Sequence, residues 1–164
     1  LHAGLPGEAQ ARALEPSAAH RRKVIVATNI AETSLTIAGI RAVVDCGLVK
    51  VTHFDAQRGM EVLSVRPVSQ ASATQRAGRA GRTRAGECYR LYSERFFKVE
   101  CPVESQPEIG RTGLATTALA LKKIVGDRGD VLAFDLVDPP PRAALLKALL
   151  QLHVLGALDA AGAV

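Results

Sequence analysis

Apolar and polar positions follow two rhythms along this chain. In the first hundred or so residues the apolar positions gather in short runs, and beyond them they recur at helical spacing. Residues 24–27 (Val-Ile-Val-Ala) and 40–45 are such runs and read as core strands, with 24–27, 42–44 and 89–91 expected to be buried. Residues 50–55 and 60–66 alternate imperfectly, with Met60, Val62 and Ser64 set against Glu61, Leu63 and Val65. Gly59 in the four-residue loop 56–59 between them signals a hairpin. Residues 87–92 give a last strand, with Cys88, Arg90 and Tyr92 on one face and Tyr89 and Leu91 on the other. A helix is expected over 7–14 after Pro6, presenting Ala9, Ala13 and Leu14 to a core and stopped by Glu15-Pro16. A short helical turn lies within 35–40, closed by Gly39. Residues 69–82 open another helix, for which Ser72 and Gln75 have the spacing of a capping box.

After residue 98 the pattern changes. Pro102, Pro107 and the run 139–141 divide it into helices. Residues 108–125 carry Ile109, Leu114, Ala118, Leu121 and Val125 on one stripe, and 142–152 carry Leu145, Leu146, Leu149 and Leu152. The expected organisation is an α/β region over 1–98 and a mostly helical region over 99–164.

Composition narrows the class. A length of 164 residues holds one medium domain, or one domain and part of another. At 48% hydrophobic and 23% charged the chain is globular, and no apolar run reaches membrane-spanning length. The opening Leu1-His2-Ala3-Gly4-Leu5-Pro6 has neither an initiator Met nor a signal-peptide pattern, and is read as entering mid-domain, as in a fragment. The net charge of +5 matters through its placement: Arg66, Arg76, Arg79, Arg82, Arg84 and Arg90 share one short stretch. Cys46, Cys88 and Cys101 lack pair spacing and read as small core hydrophobes in a reducing compartment rather than as nucleophiles. His2, His20, His53 and His153 form no ligand pattern, so no metal site is expected.

Two segments carry candidate chemistry. Gln75-Arg76-Ala77-Gly78-Arg79-Ala80-Gly81-Arg82 sets three arginines among two glycines. Guanidinium groups fork hydrogen bonds onto phosphate oxygens, and glycine lets a backbone approach a ligand. The run reads as a polyphosphate grip, whose helix N-terminus adds a favourable dipole, or as the solvated basic start of a helix. Ala27-Thr28-Asn29-Ile30-Ala31-Glu32-Thr33-Ser34-Leu35-Thr36-Ile37-Ala38-Gly39-Ile40 is a hydroxyl-rich turn after a strand, where open α/β sheets place ligands. Its other reading is a strand followed by an ordinary helix cap.

In this order the two segments resemble motifs V and VI of superfamily 2 helicases, and their wording is similar to that of the DEAH-box RNA helicases. The resemblance implies a RecA-like parallel sheet flanked by helices, the second of two lobes, followed by an incomplete winged-helix segment. It implies ATP or another NTP, with Mg2+, bound between the lobes. The phosphate loop, the magnesium ligands and the catalytic glutamate would come from the first lobe in cis, since these residues include no G-x-x-x-x-G-K-[ST] and no Asp-Glu-Ala-His.

By the same resemblance Gln75 orients the attacking water or the γ-phosphate, Arg79 and Arg82 act as arginine fingers, and Gly39 belongs to the nucleotide site. Arg76 is the weaker candidate, with a carboxylate pair or support of the helix as its alternative. Thr28, Asn29 and Thr33 would contact RNA phosphates without reading sequence. The hairpin lies against the RNA path or merely edges the sheet. The C-terminal helices are a winged helix or a hairpin of no special role.

Two positions depart from the family pattern. Ala38 stands where an acidic residue commonly reaches the ribose, and Leu14 where a Phe commonly stacks on the base. The implied partners are RNA, the first lobe and a protein activator, with no membrane. The implied compartment is nucleus or cytoplasm, or the cytoplasm of a bacterium. A non-catalytic RNA-binding or adaptor fragment lacking the first lobe is the alternative, and a DNA helicase of the same superfamily is a third.

Overall fold

The computed structural model describes residues 1–18, 20–33, 37–55, 58–82, 84–126 and 129–164. They divide into two compact units, residues 1–49 with 65–105 and residues 50–64 with 106–164.

In the first unit, α1 (Gly7–Leu14) follows Pro6 as its spacing predicts, with Ala9, Ala13 and Leu14 half-buried. Helix α2 (Ile30–Thr33) is a single turn. Strand β1 (Ala42–Asp45) leads through Gly47 into β2 (Leu48–Asp55), which β3 (Met60–Pro67) pairs with, residues 50–64 of this hairpin belonging to the second unit. A four-residue connection permits only antiparallel pairing; its residues 56 and 57 lie outside the described set. Then come α3 (Gln70–Ala77), β4 (Glu87–Arg90) and α4 (Glu94–Val99), whose Ser93 cap the sequence reading did not anticipate. Strand β4 returns parallel to β1, matching Val43 with Cys88 and Asp45 with Arg90, so the chain is α/β with a parallel pair and flanking helices.

Several expectations are corrected. Residues 24–27 form no strand, and Val24 and Val26 are 80% and 83% exposed. A parallel strand needs a ladder, and among the described residues this segment bonds only to Leu1, through Val26 O and Thr28 N. Residues 42–45 and 87–90 are strands, but Val44 and its register partner Tyr89 stay more than half exposed, as does Leu91. Helix α3 packs against β1, where Asp45 is buried and Val43 half-buried, and no described residue seals the opposite face. Of the cysteines, Cys101 is buried, Cys88 half-buried and Cys46 exposed. The helical turn expected within 35–40 falls partly on residues 35–36, which lie outside the described set.

Helix α3 starts three residues earlier than a Ser72 cap would place it. Ser69 Oγ accepts from Ser72 N at 3.1 Å, so Ser69 is the cap and the Ser72–Gln75 box is not made. Gln70 N and Ala71 N donate to the carbonyls of Pro102 and Val103 at 2.8 and 3.1 Å. This start places Ala73 in a small core with Val68 and Cys101, packed by Phe96 and Phe97.

In the second unit the expected helix over 108–125 is broken. A 3-10 turn (Glu108–Gly110) precedes α5 (Ala115–Val125). The break docks the hairpin tip: Phe54 N donates to Arg111 O, Arg111 Nη1 to Thr52 O, and the Phe54 ring lies against Gly113, where a Cβ would come within 3.2 Å. Helix α6 (Arg142–Val154) starts after Pro141 and packs on α5. Leu114, Ala118, Leu121, Val131, Leu145, Ala148, Leu152 and Leu158 form the core, and Gly156, at φ +72°, turns the chain so that Leu158 reaches it. Of the expected stripe on α6, Leu146 is exposed. No helix among the described residues is long and apolar enough to cross a membrane.

Candidate functional site

The two motif segments meet in the first unit, because α2 packs on α3 and α3 on β1. Arg76 joins them. Its Nε donates to Glu32 Oε2 on α2 at 3.0 Å, and its Nη1 to Asp45 Oδ1 at the end of β1 at 2.9 Å and to Leu48 O at 3.1 Å. Of the two roles open to Arg76, this is the carboxylate pair, and its Nε and Nη1 donors are committed within the fold.

Asp45, 2% exposed, is the hub. Its Oδ1 also accepts from Gly47 N at 3.0 Å, and its Oδ2 from the Tyr92 hydroxyl at 2.9 Å. Burial alone would raise this carboxyl, but bonds from Gly47, Arg76 and Tyr92 outweigh it and hold the group below its ordinary value. Burial likewise works against the Arg76 charge, and the two carboxylates more than restore it, so the guanidinium is held still more firmly protonated. The Tyr92 hydroxyl is pushed up, by burial and by donating to Asp45.

Gln75 and Arg79 lie one turn apart, with Arg79 Nη2 3.4 Å from Gln75 Oε1 and its Nε 3.4 Å from Gln75 O. Arg79 Nη1 is buried and finds no hydrogen-bond partner among the described residues. A buried cationic donor left unsatisfied costs free energy until an acceptor arrives. Arg82 is exposed, beyond the helix. These residues gather at the C-terminal end of α3, not at its N-terminus. The first three amides of α3 are taken by Pro102 O, Val103 O and Ser69 Oγ, so the expected dipole contribution from that end to a phosphate is overturned.

Thr28 and Asn29 immediately precede α2, Thr33 is its last residue, and all three are exposed. The carbonyls of Thr28 and Asn29 accept from Ala31 N and Glu32 N. Gly39 is exposed at φ +76°. Glu32, Asp45 and Tyr92 were missed by sequence reasoning. Only Asp45 left a trace, as an ionisable residue closing an apolar run.

Known proteins resemble this chain over most of its length. Residues 1–84 match the family described as helicase conserved C-terminal domain. The pre-mRNA-splicing factor ATP-dependent RNA helicase prp22 of Schizosaccharomyces pombe is 50% identical over 162 residues, which is 99% of this chain and 14% of that protein. The E. coli DExH-box NTPase HrpB superposes with a TM-score of 0.88 at 40% identity, over 100% of this chain and 20% of that one. A second structure, described as the Escherichia coli DEAH/RHA helicase HrpB, gives 0.89 at 40% identity over 98% and 20%. The chain thus spans about one seventh of the curated relative's length. Its parallel pair and flanking helices are those of a RecA-like helicase lobe. The chain belongs to the helicase conserved C-terminal domain family.

Proposed function

We propose that this chain is the second lobe of an ATP-dependent RNA helicase that couples NTP hydrolysis to RNA translocation or unwinding. Residues 1–98 are the lobe itself, and residues 99–164 begin a winged-helix segment. Gln75, Arg79, Arg82 and Gly39 face the nucleotide, and Thr28, Asn29 and Thr33 face the RNA backbone. The observation that carries this reading is Arg79, whose buried Nη1 is unpartnered among the described residues beside Gln75.

Such a donor set fits a polyphosphate. When bound, the nucleotide supplies a γ-phosphoryl group whose transfer to water spreads charge over its equatorial oxygens. Arg79 and Arg82 stabilise that charge, which is worth about a thousandfold or more in rate, and Gln75 orients the attacking water. No group of three or more His, Cys, Asp or Glu side chains capable of holding a metal occurs among the described residues. In this reading Mg2+ is held by a first lobe in cis. The protein acts in the nucleus or cytoplasm, or in a bacterial cytoplasm, with RNA and a protein activator as partners.

The test is ATP hydrolysis by the full-length protein with and without RNA, alongside Arg79→Ala and Arg82→Ala. Each substitution should cut turnover far more than RNA affinity, because the charge it faces is largest in the transition state. Equal losses would move these residues to the RNA path. RNA binding with no hydrolysis by wild type would favour the adaptor reading.

A further inference from the structure

Gln75 lies in the last turn of α3 and Arg79 just past its end, while the start of α3 is held by a strap of chain, residues 101–105. Gln70 N donates to Pro102 O at 2.8 Å and Ala71 N to Val103 O at 3.1 Å. The half-buried Gln70 side chain adds a third bond, from Nε2 to Cys101 O at 3.0 Å. Ser69 Oγ, which caps the helix, lies 2.9 Å from Ser105 Oγ. The strap is itself fixed at its first residue. Cys101 is 3% exposed in the core with Val68 and Ala73, and its N donates to Phe96 O on α4 at 3.2 Å.

The two amide bonds would form with any residue but proline at 70 and 71. The bond to Cys101 O depends on the Gln70 carboxamide. A helix of eight residues is about 12 Å long at a rise of about 1.5 Å per residue, and moves as one piece. A shift at Gln70 is therefore passed to Gln75 and to Arg79, whose Nε lies 3.4 Å from Gln75 O. We propose that Gln70 is a positioning residue for phosphoryl transfer. By holding the start of α3 on the Cys101 carbonyl, it sets where Gln75 and Arg79 stand along the helix axis. Ser105 acts in the same sense through Ser69, from further along the strap. This rests on the function proposed above.

The test uses the full-length protein. ATP hydrolysis is measured with Mg2+ and saturating oligo(U), well below each variant's melting temperature, and RNA affinity from the anisotropy of fluorescein-labelled oligo(U). Gln70→Leu keeps both backbone amides and removes the side-chain donor. It should lower kcat about tenfold, because a misplacement of about 1 Å by a remote change can cost about a hundredfold. The KM for ATP and the RNA affinity should stay within about twofold, since the lost interaction belongs to the transition state. Gln70→Lys carries a donor at the end of its side chain and should keep kcat within about threefold of wild type. Ser105→Ala, at an exposed residue, leaves Ser69 Oγ to accept from Ser72 N and should lower kcat by a smaller factor.

A purely structural role would lower the melting temperature of Gln70→Leu and spare its kcat, and that result would overturn the positioning role alone. So would a Gln70→Lys protein as slow as Gln70→Leu. Should Gln70→Leu not fold, an unchanged kcat in Ser105→Ala would overturn it instead. A wild type that hydrolyses no ATP in the presence of RNA would overturn the proposed function and the positioning role with it.

Discussion

Arg76 and Asp45 form an ion pair of 2.9 Å whose carboxylate side chain is 1% exposed. One cation here serves two acids, since Glu32 shares it. Removing Arg76 leaves a carboxylate in the interior facing only Gly47 N and the Tyr92 hydroxyl. Arg76→Ala should therefore destabilise the protein by about 3–5 kcal/mol. Urea unfolding of Arg76→Ala, Asp45→Asn and the double variant checks it. The double variant should be markedly less damaged than the sum of the two singles.

Stability should fall in acid through Asp45. Its carboxyl is held below its ordinary value when folded, so its contribution is complete above the unfolded value of about 3.9 and is lost as pH falls through the folded one. Thermal midpoints recorded from neutral pH into acid should drop more steeply below about pH 4 in wild type than in Asp45→Asn. Parallel curves would mean that Asp45 titrates alike folded and unfolded.

Glycines divide by what surrounds them. At Gly86 a Cβ would collide with the Ala80 carbonyl. At Gly47, φ is +73° and a Cβ would come 2.5 Å from the Tyr92 ring, the ring that anchors Asp45. At Gly81 a Cβ meets nothing within 4 Å, and no positive φ is required. Gly86→Ala and Gly47→Ala should each cost about 1–3 kcal/mol. Gly81→Ala should leave the melting temperature unchanged; under the proposed function, in which nucleotide phosphates approach this backbone, it should lower turnover in the full-length protein. Full turnover in Gly81→Ala would remove that glycine from the site.

The 164 residues alone should hydrolyse no NTP. They contain no phosphate-loop motif, and in the proposed reading Arg79 and Arg82 supply only one side of a charge clamp. Magnesium-dependent turnover by the purified chain would show that it holds a whole site.

Nucleoside selectivity should be weak. Leu14 ends α1 half-buried and Ala38 is exposed, so neither gives an aromatic face or a ribose acceptor. Aromatic stacking of a base is worth about 1–3 kcal/mol, and phosphate contacts cannot replace its discrimination. The full-length protein should use the four NTPs with similar KM, and Leu14→Phe should lower KM for ATP. Strong selection of ATP by wild type would place a nucleoside contact on residues outside this chain.

Sequence alone settled the features that are local. Alternation and turn glycine set the hairpin of β2 and β3, the leucine spacing set α6, and the wording of 27–40 and 75–82 led to the family. These depend on backbone preference, on period and on residues adjacent in the chain. Tertiary structure decided whatever depends on distant partners. It left 24–27 without a ladder and Val44 and Tyr89 uncovered, although their apolarity reads as burial. It moved the cap of α3 to Ser69 by bringing Pro102 and Val103 to the amides beside it. It also gave each arginine of the run its own surroundings. Arg76, Arg79 and Arg82 are chemically identical, and only their surroundings separate them: Glu32 and Asp45 hold the first, the second keeps a buried donor open beside Gln75, and the third stands exposed. Charge in a sequence has no partner until folding supplies one.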